Sequence, residues 1–337
     1  MQKQFCFPFL SPRVSSSVCL WFEIDAPDGL NLDSLGAECE RVCGAFRLRN
    51  SAFAVRRVGF SGRGSAPRFL LHQAAMKIAD RTFVVSGGVS GLGRATTAAL
   101  LGHGAHVAVF DRDGPPTPPT STAVRYYTVD VTDPAALETA VDEVVRWCSS
   151  TEKHLGGVVC AAGVAWAEKA LDRAGAPASL ALFRTVVDIN LLGTYHLATL
   201  VASRLYTSLP ASLLSATPDS ERGVIILVAS VAAFEGQKGQ TAYAASKGAI
   251  ASLTLPLARD LASFGIRVNC IAPGVFSTEM STGMSKKAVE RITEMLEFPA
   301  RFGRPHEFAE MVIALVGNGI MNGAVVRMDG ASRMGKL

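Results

Sequence analysis

The fold of this chain is decided by the stretch Ser86-Gly87-Gly88-Val89-Ser90-Gly91-Leu92-Gly93, which lies between an apolar run at 81–86 and an Ala- and Leu-rich run at 94–101. The apolar run predicts a short buried strand, and the second run predicts a helix. Glycine at positions 87, 91 and 93 allows a tight turn that approaches a pyrophosphate, whose charge the N–H groups at the helix start can accept. A strand-to-helix turn without a ligand has the same local pattern, so the rest of the chain must decide between the two interpretations.

From Arg81 onward the chain repeats a cycle of a short apolar run, a polar or Gly-rich turn and an Ala/Leu-rich amphipathic stretch. This cycle is typical of parallel strands connected by crossover helices. We therefore predict the α/β class, with a doubly wound, mainly parallel seven-stranded sheet of the Rossmann type and helices on both faces. The strands are expected near 81–86, 105–110, 124–129, 157–161, 223–229, 266–271 and 324–328. The stretches 115–122 and 209–222 are expected to be surface loops.

Composition and charge exclude several classes of function. Apolar residues make up 49% of the chain and charged residues 18%, which is typical of a globular protein with a large core. No apolar run reaches the roughly 18 uninterrupted residues of a membrane-spanning helix. The net charge is +4, but residues 1–75 hold nine Arg/Lys and six Asp/Glu, so the remainder is close to neutral and lacks the basic surface that nucleic-acid binding requires.

The seven cysteines predict buried free thiols rather than a disulfide framework or a metal site. Their number is odd, and no pair has Cys-x-x-Cys spacing. Cys39 and Cys43 could share one face of a helix, but no further Cys or His stands at a spacing that would complete a metal site. We therefore expect no metal.

Residues 1–75 differ from the rest of the chain and are expected to be an N-terminal extension, either flexible or absent from the mature protein. The stretch 44–79 is rich in arginine and contains no acidic residue, which is the bias of an organelle-targeting sequence, although acidic residues precede it. Met76 stands just ahead of the first predicted strand. We therefore expect a single catalytic domain at 76–337.

The predicted strand that follows the glycine-rich turn ends in Asp111, 20 residues after Gly91. A carboxylate there can accept hydrogen bonds from a ribose 2′-hydroxyl but repels a 2′-phosphate, which favours NAD over NADP. Arg112 could in principle meet a phosphate, although a solvated loop position suits it as well. Asp130 and Val131, after the third strand, are expected near the adenine, and Asp130 could equally cap the helix that starts at Pro134.

Chemistry is indicated by Tyr243 and Lys247, which stand one helical turn apart in an Ala- and Leu-rich stretch. A neighbouring ammonium favours phenolate, which a general base for an alcohol needs near neutral pH. On spacing alone, a Tyr and a Lys on a solvated helix face explain the pair as well. Ser230 changes this balance because it ends a predicted central strand, where its hydroxyl can hold a substrate oxygen.

Together these motifs resemble the short-chain dehydrogenase/reductase family, from about Lys77 to Met334. The resemblance implies Ser230, Tyr243, Lys247 and Asn190 as catalytic residues, with Tyr243 as general base, Lys247 lowering its pKa and binding nicotinamide ribose, and Asn190 supporting a water-linked proton relay. It implies an NAD site that includes the following residues: Ser86, Gly87, Ser90, Gly91, Leu92, Gly93, Asp111, Asp130, Val131, Ala162, Gly163, Tyr243, Lys247, Pro273, Gly274 and Thr278. Pro273-Gly274 would lie beside the nicotinamide and Thr278 near its carboxamide.

One departure concerns the turn after the fourth strand. The family has Asn-Asn-Ala-Gly there, whereas this chain has Cys160-Ala161-Ala162-Gly163 and lacks both amides. Ala162 and Gly163 can still form a wall of the cofactor site. The hydrogen bonds of the missing amides must be replaced or lost.

Within the family, the stretches 230–237 and 255–261 and the C-terminal tail resemble the NAD-dependent dehydrogenases of 3-hydroxyacyl-CoA, a group that also acts on steroids. This implies oxidation or reduction of a secondary alcohol or ketone in fatty acid metabolism, in a homotetramer and in mitochondria. Reduction of steroid or other ketones and a non-catalytic NAD-binding scaffold are the alternative functions. The end Gly335-Lys336-Leu337 approximates a peroxisomal signal, so a peroxisomal or cytosolic location is also possible.

Overall fold

The computed structural model describes residues 2–9, 18–25, 78–115, 121–209 and 220–333. The chain divides into two compact units, Met1–Phe69 and Leu70–Leu337. The Cys39 and Cys43 pair, the arginine-rich stretch 44–77 with Met76, and the C-terminal 334–337 lie outside the described residues, as do 116–120 and 210–219 of the two predicted loops.

The first unit contains two antiparallel strands, β1 (Gln2–Phe9) and β2 (Val18–Asp25), with Gln2 opposite Asp25 and Phe9 opposite Val18. The sequence analysis predicts no strand here, because the segment as a whole has no sustained period. The alternation of Phe5, Phe7 and Phe9 is confined to a single strand, too short to stand out in a window that includes the following polar residues.

The second unit is built around a seven-stranded sheet in the order β5-β4-β3-β6-β7-β8-β9, and every neighbouring pair is parallel. Its strands are β3 (Arg81–Ser86), β4 (His106–Asp111), β5 (Val124–Thr128), β6 (His154–Cys160), β7 (Gly223–Val228), β8 (Ile266–Pro273) and β9 (Val325–Met328). All seven predicted strands are present, and the predicted fold class is confirmed.

Helices cover both faces of this sheet. After a short 3-10 turn at Ile78–Asp80, they are α1 (Gly91–Gly102), α2 (Pro134–Thr151), α3 (Leu180–Val187), a π-helical segment (Asp188–Gly193), α4 (Thr194–Ser208), α5 (Ala232–Glu235), α6 (Thr241–Ala262), α7 (Glu279–Thr282), α8 (Lys286–Glu294) and α9 (Pro305–Gly317).

Each central strand contributes to two apolar cores, because successive side chains of a strand point to opposite faces. In β3, Val84 packs with residues of α2, α4 and α6 on one face, whereas Phe83 and Val85 pack with residues of α1 and α9 on the other. All three side chains are fully buried. Strands buried on both faces read as continuous apolar runs, which is why the sequence predicts them well.

The topology creates a crevice at the carboxyl ends of β3 and β6. From β3 the chain first adds β4 and β5 on one side and then crosses over to add β6 on the other side. The loops after β3 and β6 therefore diverge, and such a switch point is where open α/β sheets bind ligands. The glycine-rich turn and the Cys160-Ala161-Ala162-Gly163 turn both lie here.

Among the described residues, one helical run, Leu180–Ser208, is long and apolar enough to cross a membrane. The core of the second unit accounts for its composition. Leu197, Val201 and Leu205 are fully buried in the core on one face of the sheet, and a π-helical segment interrupts the run in the middle. A helix of this kind is typical of a doubly wound sheet.

Candidate active site

The glycine-rich turn after β3 is held so tightly that side chains would not fit at two of its positions. Gly87 has φ +67°, and a Cβ there would lie 2.9 Å from the Cα of Ala162. A Cβ on Gly93 would lie 2.1 Å from the carbonyl oxygen of Gly87. The Gly87 N–H donates to the Phe110 carbonyl at 2.8 Å. The turn therefore packs directly against the ends of β4 and β6.

The N-terminus of α1 accepts an anionic group in this structure. Ser90 is the N-cap residue, but its side chain caps no N–H group, so the N–H groups of the first turn, which include those of Gly91 and Leu92, need other partners. The Gly91 N–H donates to Glu279 Oε2 at 2.9 Å. A carboxylate on this N–H indicates that the turn suits a negatively charged group such as a pyrophosphate.

Asp111, the last residue of β4, is anchored beside the glycine-rich turn. Its Oδ2 accepts from the Val89 N–H at 3.1 Å, and its Oδ1 accepts from the Asp113 N–H at 3.2 Å. The carboxylate is therefore oriented by the backbone, and each oxygen keeps a lone pair for a ribose hydroxyl. Arg112 is exposed.

Asp130 lies in the loop after β5 and bonds locally. Its Oδ1 accepts from the N–H of Thr132 at 2.8 Å and from its hydroxyl at 2.7 Å, and these bonds lower the pKa of Asp130. The alternative in which Asp130 caps the next helix is wrong, because Asp133 is the N-cap of α2 and accepts from Ala135 and Ala136. Val131 lies against Gly193, where a Cβ would be 2.8 Å from the Val131 carbonyl oxygen.

The opposite wall of the crevice is the turn after β6. The Ala162 N–H donates to Ser86 Oγ at 3.2 Å, so the hydroxyl of the glycine-rich turn joins the two loops. Cys160, where the family has an amide, is buried, with its Sγ 3.9 Å from the Thr194 carbonyl oxygen, and burial raises the pKa of this thiol to about 12. In the absence of the two amide side chains, this turn is held by the hydrogen bond from Ala162 to Ser86 and by a weak sulfur contact of Cys160.

A third loop closes the crevice after β8. The Gly274 N–H donates to the Met328 carbonyl at 2.8 Å and so fixes the Pro273-Gly274 turn to β9. Thr278 is the N-cap residue of α7, and Ser281 completes a capping box with it. A Cβ on Gly91 would lie 3.5 Å from the Thr278 side chain. Thr278 therefore lies against the glycine-rich turn, and its expected contact with the carboxamide stays a prediction.

Ser230 and Tyr243 are brought together at the carboxyl edge of the sheet. Ser230 follows β7, is buried, and accepts from the Ala232 N–H at 3.1 Å. Tyr243 is the third residue of α6. Burial raises the pKa of Tyr243, and a side-chain hydrogen bond with Ser230 acts against this shift. The pKa of Tyr243 therefore lies above its ordinary value in this structure, whereas the sequence analysis expects it below that value.

Lys247 is a buried cation next to this pair. Its Nζ donates to the Val228 carbonyl at 2.8 Å and lies 5.9 Å from the centre of the Tyr243 ring. Burial lowers the pKa of Lys247 to about 8, and the thiols of Cys270 and Cys160 weakly oppose the shift. Lys247 lies beside the Tyr243 ring, but the causes that set the pKa of Tyr243 are burial and the hydrogen bond with Ser230, so a lowering by this lysine stays a prediction.

Asn190 lies in the π-helical segment and is fully buried. Its Oδ1 accepts from the Val164 N–H at 2.8 Å, and its Nδ2 donates to the Val164 carbonyl at 3.0 Å and to Ser246 Oγ at 3.1 Å. A Cβ on Gly163 would lie 3.1 Å from Asn190 Oδ1 and 3.4 Å from Lys247 Nζ. Asn190 therefore ties the loop after β6 to the helix that carries Tyr243 and Lys247.

The comparisons with known proteins agree with this geometry. Residues 81–289 match the family model described as short chain dehydrogenase. The chain belongs to this family. It is 41% identical over 255 residues to the 3-hydroxyacyl-CoA dehydrogenase type-2 of Homo sapiens, covering 74% of this chain and 94% of that protein. To the Drosophila melanogaster protein of the same name it is 39% identical over 266 residues, or 76% of this chain and 99% of that protein.

A crystal structure of a 3-hydroxyacyl-CoA dehydrogenase type-2 from Mycobacterium avium has the same fold as this short-chain dehydrogenase, with a TM-score of 0.68 and 33% sequence identity. The superposition covers 78% of this chain and 100% of the Mycobacterium avium chain. The protein is therefore an oxidoreductase that acts on CH–OH groups with a nicotinamide cofactor. The resemblance identified from the sequence is confirmed.

Sequence reasoning missed three residues of this short-chain dehydrogenase that contact the predicted site. Glu279 and Arg94 meet at the glycine-rich turn, with Arg94 Nη2 2.6 Å from Glu279 Oε1, and Ser246 links Asn190 to the Tyr243 backbone. Glu279 and Arg94 stand directly after two residues that the sequence analysis assigns to the cofactor site, Thr278 and Gly93. Neither position indicates a partner so distant in sequence. Among the described residues, no group of three or more His, Cys, Asp or Glu side chains could hold a metal.

Proposed function

We propose that this protein is an NAD-dependent dehydrogenase of 3-hydroxyacyl-CoA, with Tyr243 as the general base. The observation that carries the proposal is the hydrogen-bonded pair of Ser230 and Tyr243 beside the buried Lys247, at the edge of the sheet where the glycine-rich turn also lies. Such a constellation can remove a proton from a secondary alcohol while its oxygen is held in place.

The residues of the crevice fit a dinucleotide. The backbone of Gly87, Gly91, Leu92 and Gly93 would hold the pyrophosphate, with Ser86 and Ser90 completing the turn. Asp111 would accept from the adenosine ribose, and this carboxylate supports NAD rather than NADP. Asp130 and Val131 would lie by the adenine, and five further residues would surround the nicotinamide end: Ala162, Gly163, Pro273, Gly274 and Thr278. When bound, the nicotinamide ring exchanges a hydride with the substrate carbon.

The proton chemistry belongs to the protein. In oxidation, the phenolate oxygen of Tyr243 takes the proton of the alcohol, and the Ser230 hydroxyl donates a hydrogen bond to the substrate oxygen. Lys247 stabilises the phenolate through its charge and would also bind the nicotinamide ribose. Because Asn190 fixes Ser246 and Val164 around this lysine, we propose that it positions the water-linked proton relay. A raised pKa of Tyr243 means that oxidation accelerates with pH.

The substrate class rests on the relatives. Five curated relatives and one solved structure carry the name 3-hydroxyacyl-CoA dehydrogenase type-2, and the chain covers nearly their full length. Residues 76–337 are proposed as the catalytic domain, and the division of the chain at Phe69 supports this boundary. We further propose a homotetramer that acts in fatty acid metabolism in mitochondria, a location with which the arginine-rich stretch before Met76 is compatible.

Turnover with a substrate panel tests this function. With 3-hydroxybutyryl-CoA as substrate, the full-length protein should reduce NAD faster than NADP. It should also reduce NAD faster with this substrate than with hydroxysteroids or short secondary alcohols. Tyr243→Phe should lower this rate by about 10²- to 10⁴-fold, because the general base is lost. The Tyr243→Phe variant should still bind NADH, and fluorescence measures this binding.

Tyr206→Phe is the matched control, since Tyr206 is exposed on α4, and its rate should equal that of the wild type. An undiminished rate in Tyr243→Phe would contradict the mechanism. A clear preference for steroids would instead support the alternative substrate class.

A further inference from the structure

An ion pair joins the loop after β8 to the glycine-rich turn and lies on its anion-binding end. Glu279, the first residue of α7, receives the Gly91 N–H at 2.9 Å through Oε2 and contacts Arg94 Nη2 at 2.6 Å through Oε1. These residues are separated by more than half of the chain. Both carboxylate oxygens are thus engaged by groups that belong to the start of α1.

The position of this carboxylate is the one that an anionic ligand needs. Helix N-termini attract anions because their N–H groups have no partner within the helix and carry partial positive charge. In α1 the N-cap side chain of Ser90 forms no capping bond and no acidic residue stands in the first turn. Glu279 is therefore the negative charge that the fold itself supplies to this end, and hydrogen bonds from its own backbone and Gly91, together with Arg94, lower its pKa.

We propose that Glu279 is an internal competitor of the cofactor pyrophosphate, and that Glu279 and Arg94 form a latch that must open before the dinucleotide binds. A carboxylate and a diphosphate repel each other and compete for the same N–H groups, so they cannot share this turn. Release of Glu279 also frees the Arg94 guanidinium, which then faces the incoming anion. The proposal rests on the proposed function, since it requires a dinucleotide at this turn.

The latch is weak enough to open during turnover. The side chains of Arg94 and Glu279 are 59% and 52% exposed, and exposed ion pairs contribute little free energy. When only the open form binds, the apparent Kd equals the intrinsic Kd divided by the open fraction. Removing a latch of this strength should therefore lower the Kd of the cofactor by about two- to fivefold.

Binding of an adenosine series tests the latch. We would titrate adenosine, ADP and NAD into full-length wild type and Glu279→Gln and measure Kd by calorimetry. The variant should bind ADP and NAD about two- to fivefold more tightly, because these ligands carry a pyrophosphate, and should bind adenosine as the wild type does. Glu290→Gln is the matched control, since Glu290 is an exposed acid of the neighbouring α8, and its Kd values should not change.

A second substitution examines Arg94. In the Glu279→Gln background, Arg94→Gln should reduce the gain in ADP affinity without abolishing it, because the competing carboxylate is still absent but the guanidinium no longer faces the phosphates. An equal gain for adenosine would mean that the substitution only loosens the loop, and it would overturn the proposal. So would an unchanged or weaker ADP affinity. If NAD reduction persists in that case, the proposed function stands and only the latch fails, whereas absence of both NAD binding and turnover in the wild type would reject both.

Discussion

Lys247 and Arg267 are two buried cations, each 6% exposed. They lie at opposite ends of the strands of the same sheet and have very different partners. Arg267, near the start of β8, pairs with Glu221 at 2.7 Å. It also donates to the carbonyls of Leu315, Val316 and Met321 at 2.8 to 3.0 Å. Its charge is balanced, and its planar fork is almost fully used.

Lys247 lies at the carboxyl edge, and no carboxylate in the described part of the chain pairs with it. Its Nζ donates to a single carbonyl, that of Val228, and burial lowers its pKa to about 8. The contrast separates two kinds of buried charge in one fold, that of Arg267, which stabilises the fold, and that of Lys247, which is proposed to take part in the reaction. The first charge is saturated with partners, and the second is left with capacity for a ligand.

The largest effect is expected from Lys247→Met. Loss of the ammonium removes the charge that favours Tyr243 phenolate, so NAD reduction should fall by about 100-fold or more. The free energy of unfolding should stay the same or rise, because a poorly satisfied buried charge is replaced by an apolar side chain. Steady-state kinetics and urea unfolding measure the two quantities.

Lys287→Met provides the control, since Lys287 is exposed on α8 and should change neither value. A strong loss of stability in Lys247→Met would show that this lysine also holds the fold together. The contrast with Arg267 would then disappear.

Arg267→Met should have the opposite profile. Its removal leaves the largely buried Glu221 carboxylate without its partner, and breaking a buried pair in this way costs about 3 to 5 kcal/mol of unfolding free energy. The rate constant per folded molecule should remain close to that of the wild type, because Arg267 lies at the edge away from Tyr243.

The double variant Arg267→Met/Glu221→Leu sharpens this prediction. Since no unpaired carboxylate remains, it should lose less stability than Arg267→Met alone, although the carbonyls of Leu315 and Val316 still lack this donor, whereas that of Met321 keeps Asn269 Nδ2. Thermal unfolding of the three proteins would decide. If the double variant were less stable than the single one, the carbonyl bonds and not the ion pair would dominate.

A smaller effect is expected from pH. The pKa of Lys247 in the folded state is about 8, below the ordinary value of 10.5. Between these two pH values the unfolded chain therefore binds more protons than the folded protein. The contribution of Lys247 to the free energy of unfolding thus increases as pH rises through this window. Relative to Lys247→Met, the wild type should gain on the order of 2 kcal/mol between pH 8 and 10. A constant difference between the two proteins over this range would mean that Lys247 titrates normally.

The sequence predicts the parts of this molecule that depend on local pattern. All seven strands of the main sheet lie within a few residues of their predicted positions, because strands buried on both faces are continuous apolar runs. The sequence also predicts the glycine-rich turn, because positions 87 and 93 of this short loop leave no room for a side chain. The pairing of Ser230 with Tyr243 follows from the same topology.

What the sequence could not predict depends on distant partners. The contact of Glu279 with Gly91 and the carbonyl cluster around Arg267 join segments that are adjacent only after folding. The direction of the Tyr243 pKa was mistaken for the same reason, because sequence gives the neighbouring charge but not the depth of burial, and here burial is the larger influence.

The two hydrogen bonds between Asn190 and the backbone of Val164 have a consequence for how this enzyme can diversify. They fix Val164 at the start of the segment that leads from β6 to α3. Glu168 of this segment in turn binds the chain just ahead of α6, because its N–H donates to the Gly239 carbonyl at 2.7 Å. Changes in this segment are therefore expected to alter the fit of the alcohol and the position of Tyr243 together, so that new substrates and altered rates evolve as one trait.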